Sequence, residues 1–353
     1  MREEIKKIIE SGTKAPSGDN CQPWKIIVKG SIIDIYNDPA KDTSLYNCKQ
    51  AASHIAHGAL IENMLIASKA LGYQAEASFF PSGFANDHVA TIKLTKGASS
   101  YEPLFTCINE RSNNRKSYAE TPLSKIERKE FFDAASNTKG AELKLADTPI
   151  LKNSIAVAGS SNEKVVLANK YLHHFFFSHV MWSEEEARDK GWGIYVKTLE
   201  MPKPGEIIFK LCSKWPIMKL LNLVGLPNLV SKQNEMVYRR SGEFGAIIIE
   251  DDSPKSFLAA GRMIERVWLT ATKLGLGFNA MAGVTLLAYN ITSEGGKNLK
   301  EIEKKMIMSA YGSIMNAFKV EKDIIPFVFR VGKTDSPSAR SFRLPLEKVV
   351  TNN

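Results

Sequence analysis

The sequence predicts an α+β protein built around two long central helices. Three observations carry that expectation. Two short apolar runs, residues 24–28 and 31–36, flank a Lys29-Gly30 turn and read as strands. Two long helical patterns, 49–71 and 256–273, each run into a Leu-Gly pair that suits a helix C-cap. The two patterns also echo each other. Gly58-Ala-Leu-Ile-Glu62 and Gly261-Arg-Met-Ile-Glu265 both place a small residue, then an apolar pair and a Glu, before the cap. The echo suggests a duplicated helix–strand unit whose helices pack together, although two amphipathic helices can match by chance.

The elements follow in order. Glu3 to Ser11 reads as a helix with Ile5, Ile8 and Ile9 on one face, ended by Gly12. The loop Ala15–Pro23 leads into the strand Trp24 to Val28, then the strand Ser31 to Tyr36. Lys49 to Leu71 is a long helix with an apolar stripe through Ile55, Ala59, Met64 and Ile66. Tyr73 to Phe80 and His88 to Leu94 read as paired strands. Lys125 to Ala135 is a helix, with Ser124 and Glu127 at capping-box spacing. Glu163 to Trp182 reads as one aromatic-rich helix, and 192–199 as irregular or weakly extended. Glu243 to Glu250 is a strand and Ser256 to Lys273 a helix. Leu299 to Ser309 is a short helix, Ile324 to Val331 a strand, and the tail from Asp335 is extended.

The chain has 353 residues, 44% hydrophobic and 24% charged, an ordinary globular balance. One large domain or two closely packed units both suit that length. The net charge of +9 attracts anions, yet no nucleic-acid signature accompanies it and the lysines are scattered. Cys21, Cys48, Cys107 and Cys212 lie far apart, as expected of free thiols in a cytoplasmic protein. The first residues lack the apolar core of a secretion signal. The most apolar stretch, Ile207 to Val230, is interrupted by Lys210, Lys214, Lys219, Pro216 and Pro227. It makes a poor spanning helix and reads as a lid or a buried hairpin, with no stable membrane insertion.

Two polar clusters stand out. The first is Ala15-Pro-Ser-Gly-Asp-Asn-Cys-Gln-Pro-Trp24. Pro16 fixes the backbone, Gly18 permits a strained turn, and Ser17, Asp19, Asn20 and Gln22 offer short hydrogen-bonding arms. A ring with carbonyl and imide edges would use them, and so would an ordinary Asx-type turn. The second is Arg111-Ser-Asn-Asn-Arg115, whose guanidiniums and hydroxyl suit a phosphate monoester or a solvated turn. His54 and His57 share a helix face without further ligands for a metal, so no metal site is expected. His173, His174 and His179 sit among Tyr171, Phe175, Phe176 and Phe177, a band that covers a ligand or builds a core. No Ser-His-Asp set and no phosphate-loop glycine pattern occurs.

The first cluster resembles the pattern Ala-Pro-Ser-x-x-Asn-x-Gln-Pro-Trp of the flavin-dependent nitroreductase family. The second is similar to its Arg-Ser-x-Arg-x-Phe pattern with one extra residue, which shifts the register at Arg115. Leu274-Gly-Leu-Gly-Phe-Asn-Ala-Met-Ala-Gly283 and Phe327-Val-Phe-Arg-Val-Gly332 resemble the turn beside the flavin ring and the late strand. Residues 182–193, with Arg188-Asp189, and the tail 337–345, with Arg340 and Arg343, resemble the fused, Acg-like branch. The likeness covers nearly the whole chain.

The resemblance implies a nitroreductase-like fold of two related halves, each with an antiparallel or mixed sheet flanked by helices. Residues 1–106 would carry the Pro-Ser loop. Residues 107–353 would carry the phosphate cluster, with a lid insertion near 200–232. One chain would then act as an internal pseudo-dimer with one intact flavin site, leaving room for a further homodimer. Arg111, Ser112 and Arg115 would hold the FMN phosphate, with Arg330 and Lys333 adding charge. Pro16, Ser17, Gly18, Asn20 and Gln22 would border the ring, and Ala282 and Gly283 would present backbone N–H near flavin N5. No side chain need be catalytic, because the flavin carries the redox chemistry. The implied activity is NAD(P)H-dependent reduction of small nitroaromatic or quinone-like acceptors, with no nucleic acid involved. The alternative is an FMN-sequestering protein with a closed lid and little reductase activity.

Overall fold

The computed structural model describes residues 2–84 and 86–352. Its elements run α1 (Glu3–Thr13), β1 (Trp24–Lys29), β2 (Ile32–Asn37), α2 (Ala51–Ala70), β3 (Tyr73–Phe79), β4 (His88–Lys96), α3 (Leu104–Glu110), α4 (Lys125–Ser136), β5 (Glu142–Ala146) and α5 (Pro149–Gly159). They continue through α6 (Ser161–Ala168), α7 (Lys170–Ser178), β6 (Val180–Met181), α8 (Glu184–Lys190), β7 (Ile194–Tyr195), α9 (Lys203–Cys212), α10 (Trp215–Leu223) and α11 (Leu226–Arg239). The last are β8 (Glu243–Ile249), α12 (Pro254–Lys273), β9 (Gly277–Ala280), α13 (Gly283–Glu294), α14 (Glu301–Phe318), β10 (Ile324–Gly332) and β11 (Val350–Asn352).

Two sheets flanked by helices define the α+β architecture. The first has strand order β11-β1-β2-β4-β3, antiparallel except where β11 joins β1 in parallel. The second, β5-β8-β10-β9, is antiparallel throughout. Apolar alternation along β1 and β2 turns Trp24, Ile26, Ile33 and Ile35 onto α1 and α2. Ile5, Ile8 and Ile9 of α1 are fully buried there, each worth about 1.5–3 kcal/mol of burial. β8 is buried along its whole length because helices cover both faces of its sheet.

Helices α2 and α12 form the central pair, and they meet backbone to backbone. A Cβ on Gly261 would lie 1.9 Å from the Ile55 carbonyl oxygen, and one on Gly58 would lie 2.1 Å from that of Leu258. One turn on from each glycine stands a fully buried carboxylate, Glu62 and Glu265. Glu62 is held by Arg262 Nε at 2.7 Å and Arg266 Nε at 2.5 Å, both from the opposite helix.

The structure departs from the sequence expectation in four places. The aromatic helix 163–182 is broken at Asn169, whose extended backbone ends α6 and whose Oδ1 accepts from Leu172 N–H to cap α7. Its Nδ2 donates to Glu303 Oε2 at 2.7 Å, so the break is anchored from outside the helix. The stretch 207–230 is neither one span nor a hairpin. It forms α9, α10 and α11, with Pro204, Pro216 and Pro227 in their first turns. The helix after Leu299 runs on to Phe318. The extended tail ends in β11, which crosses back to the sheet of the N-terminal residues. None of the helices is long and apolar enough to cross a membrane among the described residues.

Candidate functional site

The Ala15–Trp24 loop is tightly turned. Asp19, Asn20 and Gln22 all take left-handed backbone conformations (φ 44°, 57° and 53°), a concentration of strain that Asn and Asp tolerate better than most residues. Ser17 Oγ accepts from Gln22 N–H at 3.0 Å and closes the turn. The amides then point outward to other parts of the chain. Asn20 Nδ2 donates to the Phe342 carbonyl (2.8 Å), and its Oδ1 accepts from Arg343 Nη1 (2.8 Å). Gln22 Nε2 donates to the Gly191 carbonyl (2.8 Å), and its Oε1 accepts from Leu344 N–H (2.9 Å). The turn after α8 and the C-terminal tail therefore cover this loop.

The second cluster reaches the first. Arg111 caps α3, and its buried guanidinium stacks 4.6 Å from the Trp268 ring. Its Nη2 donates to the Lys14 carbonyl at 2.6 Å, at the foot of the Pro-Ser loop. Its Nε lies 3.1 Å from Glu265 Oε1. Arg343 donates to the Lys14 and Ala15 carbonyls from the other side (3.1 and 3.2 Å). Burial and the neighbouring Arg111 charge pull the Arg343 guanidinium down to about 9, and Glu265 opposes them. Burial likewise raises the Glu265 carboxyl, against the pull of Arg111.

The residues after Arg111 are stitched to β9. The Ser112 carbonyl accepts from Trp268 Nε1, and Asn113 Oδ1 accepts from Ala280 N–H at 2.9 Å. Arg115 turns inward and donates to the Thr198 carbonyl at 3.0 Å. Arg330, fully buried on β10, donates to Asn279 Oδ1 (2.9 Å) and the Lys116 carbonyl (2.7 Å). Its guanidinium lies 4.1 Å from the Tyr118 ring and 5.5 Å from that of Tyr238. Lys333 is exposed at the sheet end, and its carbonyl accepts from Ala119 N–H.

Ala282 and Gly283 open α13, where Ala282 is the N-cap without a side-chain cap. Gly283 faces Asn162 so closely that a Cβ would come within 2.4 Å of that side chain. Tyr46 OH donates to Asn162 Oδ1 at 2.9 Å and holds it there. Next in sequence, Glu163 Oε1 accepts from Tyr238 OH at 2.8 Å, while its buried Oε2 has no hydrogen-bond partner among the described residues.

These groups feel one another's charge. Burial lifts the Asp19 carboxyl to about 6, opposed by His179 and Arg115 and reinforced by Asp42. Burial also raises Glu163, with Arg115 again opposing. Tyr46 is raised by burial, then by Asp19 and Glu163. Arg115 and Arg330 are both lowered by burial. Arg115 thus stands within the field of both carboxyls, which burial drives toward the neutral form, and Arg330 within that of Arg115. The arrangement favours an added negative charge.

Sequence reasoning singled out the loop, Arg111–Arg115, Ala282-Gly283 and Arg330. It did not single out Glu163, Tyr238, Tyr46 or Asn162, because an isolated Glu, Tyr or Asn carries no motif. Nor did it place Arg343 on the loop, since only the fold brings the tail there. Two open clefts adjoin the region. One of about 510 Å³ is lined by Arg188, Tyr195, Lys197, Arg340 and Phe342. The other, about 650 Å³, is lined by Thr13, Lys14, Asn109, Arg343 and Leu344. His54 and His57 are core residues whose imidazoles burial pushes down, and no group of metal-ligating side chains occurs among the described residues.

No family model matches the chain. Among curated sequences it is similar to the uncharacterized protein MT1398 of Mycobacterium tuberculosis (strain CDC 1551 / Oshkosh), at 20% identity over 286 residues. That match covers 80% of this chain and 39% of the relative, so the chain spans about two-fifths of the relative's length. Solved structures similar to it include a nitroreductase-like family protein from Bacillus cereus, at 13% identity and a TM-score of 0.38, covering 71% of this chain and 96% of that one. Another is the FMN-dependent nitroreductase NfnB of Mycobacterium smegmatis in complex with NADPH, at 11% identity and a TM-score of 0.42, covering 70% and 97%. A third is the NADPH:FMN oxidoreductase of Vibrio harveyi complexed with NAD+, at 12% identity and a TM-score of 0.38, covering 71% and 77%.

Proposed function

We propose that the chain is a nitroreductase-like flavoprotein of the fused, Acg-like kind. In this reading it holds one FMN between its halves, 1–106 and 107–353, and uses NAD(P)H to reduce small nitroaromatic or quinone-like acceptors. The observation that supports it is a convergence. The Pro-Ser loop, the 111–118 segment, Arg330 and the start of α13 are distant in sequence and meet around one buried polar cluster. Arg111 on the Lys14 carbonyl and Asp19 within the field of Arg115 are the two links.

The residues present fit such a ligand chemically. A phosphate needs fixed cations, and Arg111, Arg115, Arg330 and Arg343 supply them. A ring with carbonyl and imide edges needs donors and acceptors in a slot, and Ser17, Asn20, Gln22 and the α13 backbone offer both. Bound FMN would supply the reversible two-electron redox chemistry. The protein's part is to orient it, exclude water and hold positive charge nearby through Arg115 and Arg330. Asp19, with a carboxyl near 6, is able to hold or release a proton close to neutral pH. The four cysteines are free, which suits the cytoplasm.

A second reading, FMN sequestration, is favoured by the packing of Asn162 on Gly283 and by the tail over the loop. Anaerobic titration with NADH and NADPH separates the two. Bleaching of the bound flavin's visible band by either nucleotide supports the oxidoreductase. If neither bleaches it, while the Asn162→Ala variant does bleach, the native site is a closed store. A purified protein that takes up no FMN at all overturns both.

A further inference from the structure

Helices α9 to α11 carry apolar side chains on two faces, and only one is covered. Inward, Cys212 and Met218 are buried, and Phe209, Trp215, Leu221 and Leu226 pack against the cluster that also holds Phe177 and Met181. Outward, Ile207 and Leu211 share one face of α9, at 67% and 50% exposure. Leu220, Leu223 and Val224 share one face of α10 and its C-terminal turn, at 65%, 82% and 77%. A helix apolar all round is normally buried on every side. Scattered surface leucines need no explanation, but a set concentrated on neighbouring helices does.

The charges on the same stretch have one sign. Residues 203–239 hold six Lys or Arg against two Glu. Both glutamates are already paired, Glu206 with Lys197 and Glu235 with Lys232 and Arg239. Lys203, Lys214 and Lys219 are exposed and have no ion pair among the described residues. We infer that this face docks on an anionic lipid bilayer surface, as a peripheral contact rather than a span. Leucines and a valine standing this clear of the chain suit insertion among deformable headgroups, while the lysines meet lipid phosphates. A second copy is disfavoured because a two-fold contact would set each unpaired lysine group against its own image.

The test uses the full chain and vesicle co-sedimentation. The vesicles are phosphatidylcholine alone or phosphatidylcholine with added phosphatidylglycerol. The protein should sediment with the anionic vesicles at low salt, lose them at high salt, and ignore the neutral ones. Lys214→Gln with Lys219→Gln should lower partitioning roughly 30-fold. Leu223→Asn with Val224→Asn should also abolish it, without changing circular dichroism, since both positions are exposed. Equal binding to neutral vesicles, no binding to anionic ones, or wild-type binding by both variants overturns the inference. So does a concentration-dependent dimer that Leu223→Asn with Val224→Asn dissolves, because the face would then belong to a second copy.

Discussion

Replacing Gly261 with Ala is the sharpest test of the fold that positions the site. In the interior of a helix this change ordinarily stabilises by about 1 kcal/mol through helix propensity. Here the new Cβ would lie 1.9 Å from the Ile55 carbonyl oxygen and 2.7 Å from its carbon, where ordinary contact begins near 3.4 Å. The obstacle is backbone, so no side chain can swing aside. α2 and α12 would have to part by roughly 1.5 Å, as close packing does not absorb such a volume. Overpacking of this kind costs about 1–3 kcal/mol or more. Parting the helices also stretches the Glu62 bonds to Arg262 and Arg266. The net expectation is a loss of about 2 kcal/mol after the propensity gain. Urea unfolding followed by circular dichroism reads it as a lower midpoint at unchanged slope. Gly312, inside α14 with nothing within 4 Å of its added Cβ, is the control. Gly312→Ala should raise the midpoint. If Gly261→Ala raises it as well, the close crossing does not exist and the reasoning fails.

Two further outcomes follow from the site. Arg111→Ala should weaken FMN binding in a fluorescence titration and destabilise the protein by on the order of 3 kcal/mol, since Glu265 is left buried without its partner. Adding Glu265→Gln should restore stability but not flavin affinity, and a double variant that regains both would remove Arg111 from the cofactor's surroundings. For Asp19, burial raises the folded carboxyl from 3.8 to about 6. Its contribution to stability is therefore complete below about pH 4 and is lost as pH rises through 6. Asp19→Asn should be flatter over that window and more stable above it, by on the order of 1 kcal/mol. Unfolding midpoints that run parallel for the two proteins between about pH 4 and pH 7 would contradict this.

Local signals read well wherever the chain's own chemistry decides the element. The Ser124–Glu127 capping box forms on both sides, with Ser124 N–H donating to Glu127 Oε2 at 2.6 Å and Glu127 N–H to Ser124 Oγ at 3.2 Å. The Leu-Gly caps of α2 and α12 take positive φ at Gly72 and Gly275. Signals that depend on partners read poorly. Asn169 breaks a helix because Glu303 and the Asn298 carbonyl, far along the chain, hold its amide. Pro216 and Pro227 read as interruptions, yet each opens a helix, as Pro204 does, since proline fits the first turn as readily as it breaks the middle. β11 is three residues long and is a strand because β1 offers it an edge. At the candidate site, the residues that lie in dense polar clusters were visible in the sequence. Glu163 and Tyr238 were not, because their meaning comes from sharing one proton-bearing contact across two helices.

In the proposed flavoprotein, the two glutamates of the central pair would give the site its one-sidedness. Glu62 and Glu265 stand at matching places, four residues beyond the crossing glycines, and both are fully buried. The counter-ions of Glu62 are Arg262 and Arg266, which belong to the facing helix and lie in its own crossing. Its ion pairs stay within the helix pair, and Arg262 lies 5.3 Å from the Phe79 ring at the end of β3. The counter-ion of Glu265 is Arg111, delivered from the end of α3, and its other arm holds the Lys14 carbonyl. Arg343 adds a second charge nearby and grips the same loop foot. Glu265 thus acts as a positioning residue: through Arg111 it ties the central helix to the Pro-Ser loop. If the two helix–strand units are duplicates, as their sequence echo suggests, the same buried carboxylate locks the helices on one side and orders an arginine of the proposed site on the other. In the proposed flavoprotein, a single usable site would follow from where each glutamate finds its arginines, with no need for a second loop of the Ala15–Trp24 kind.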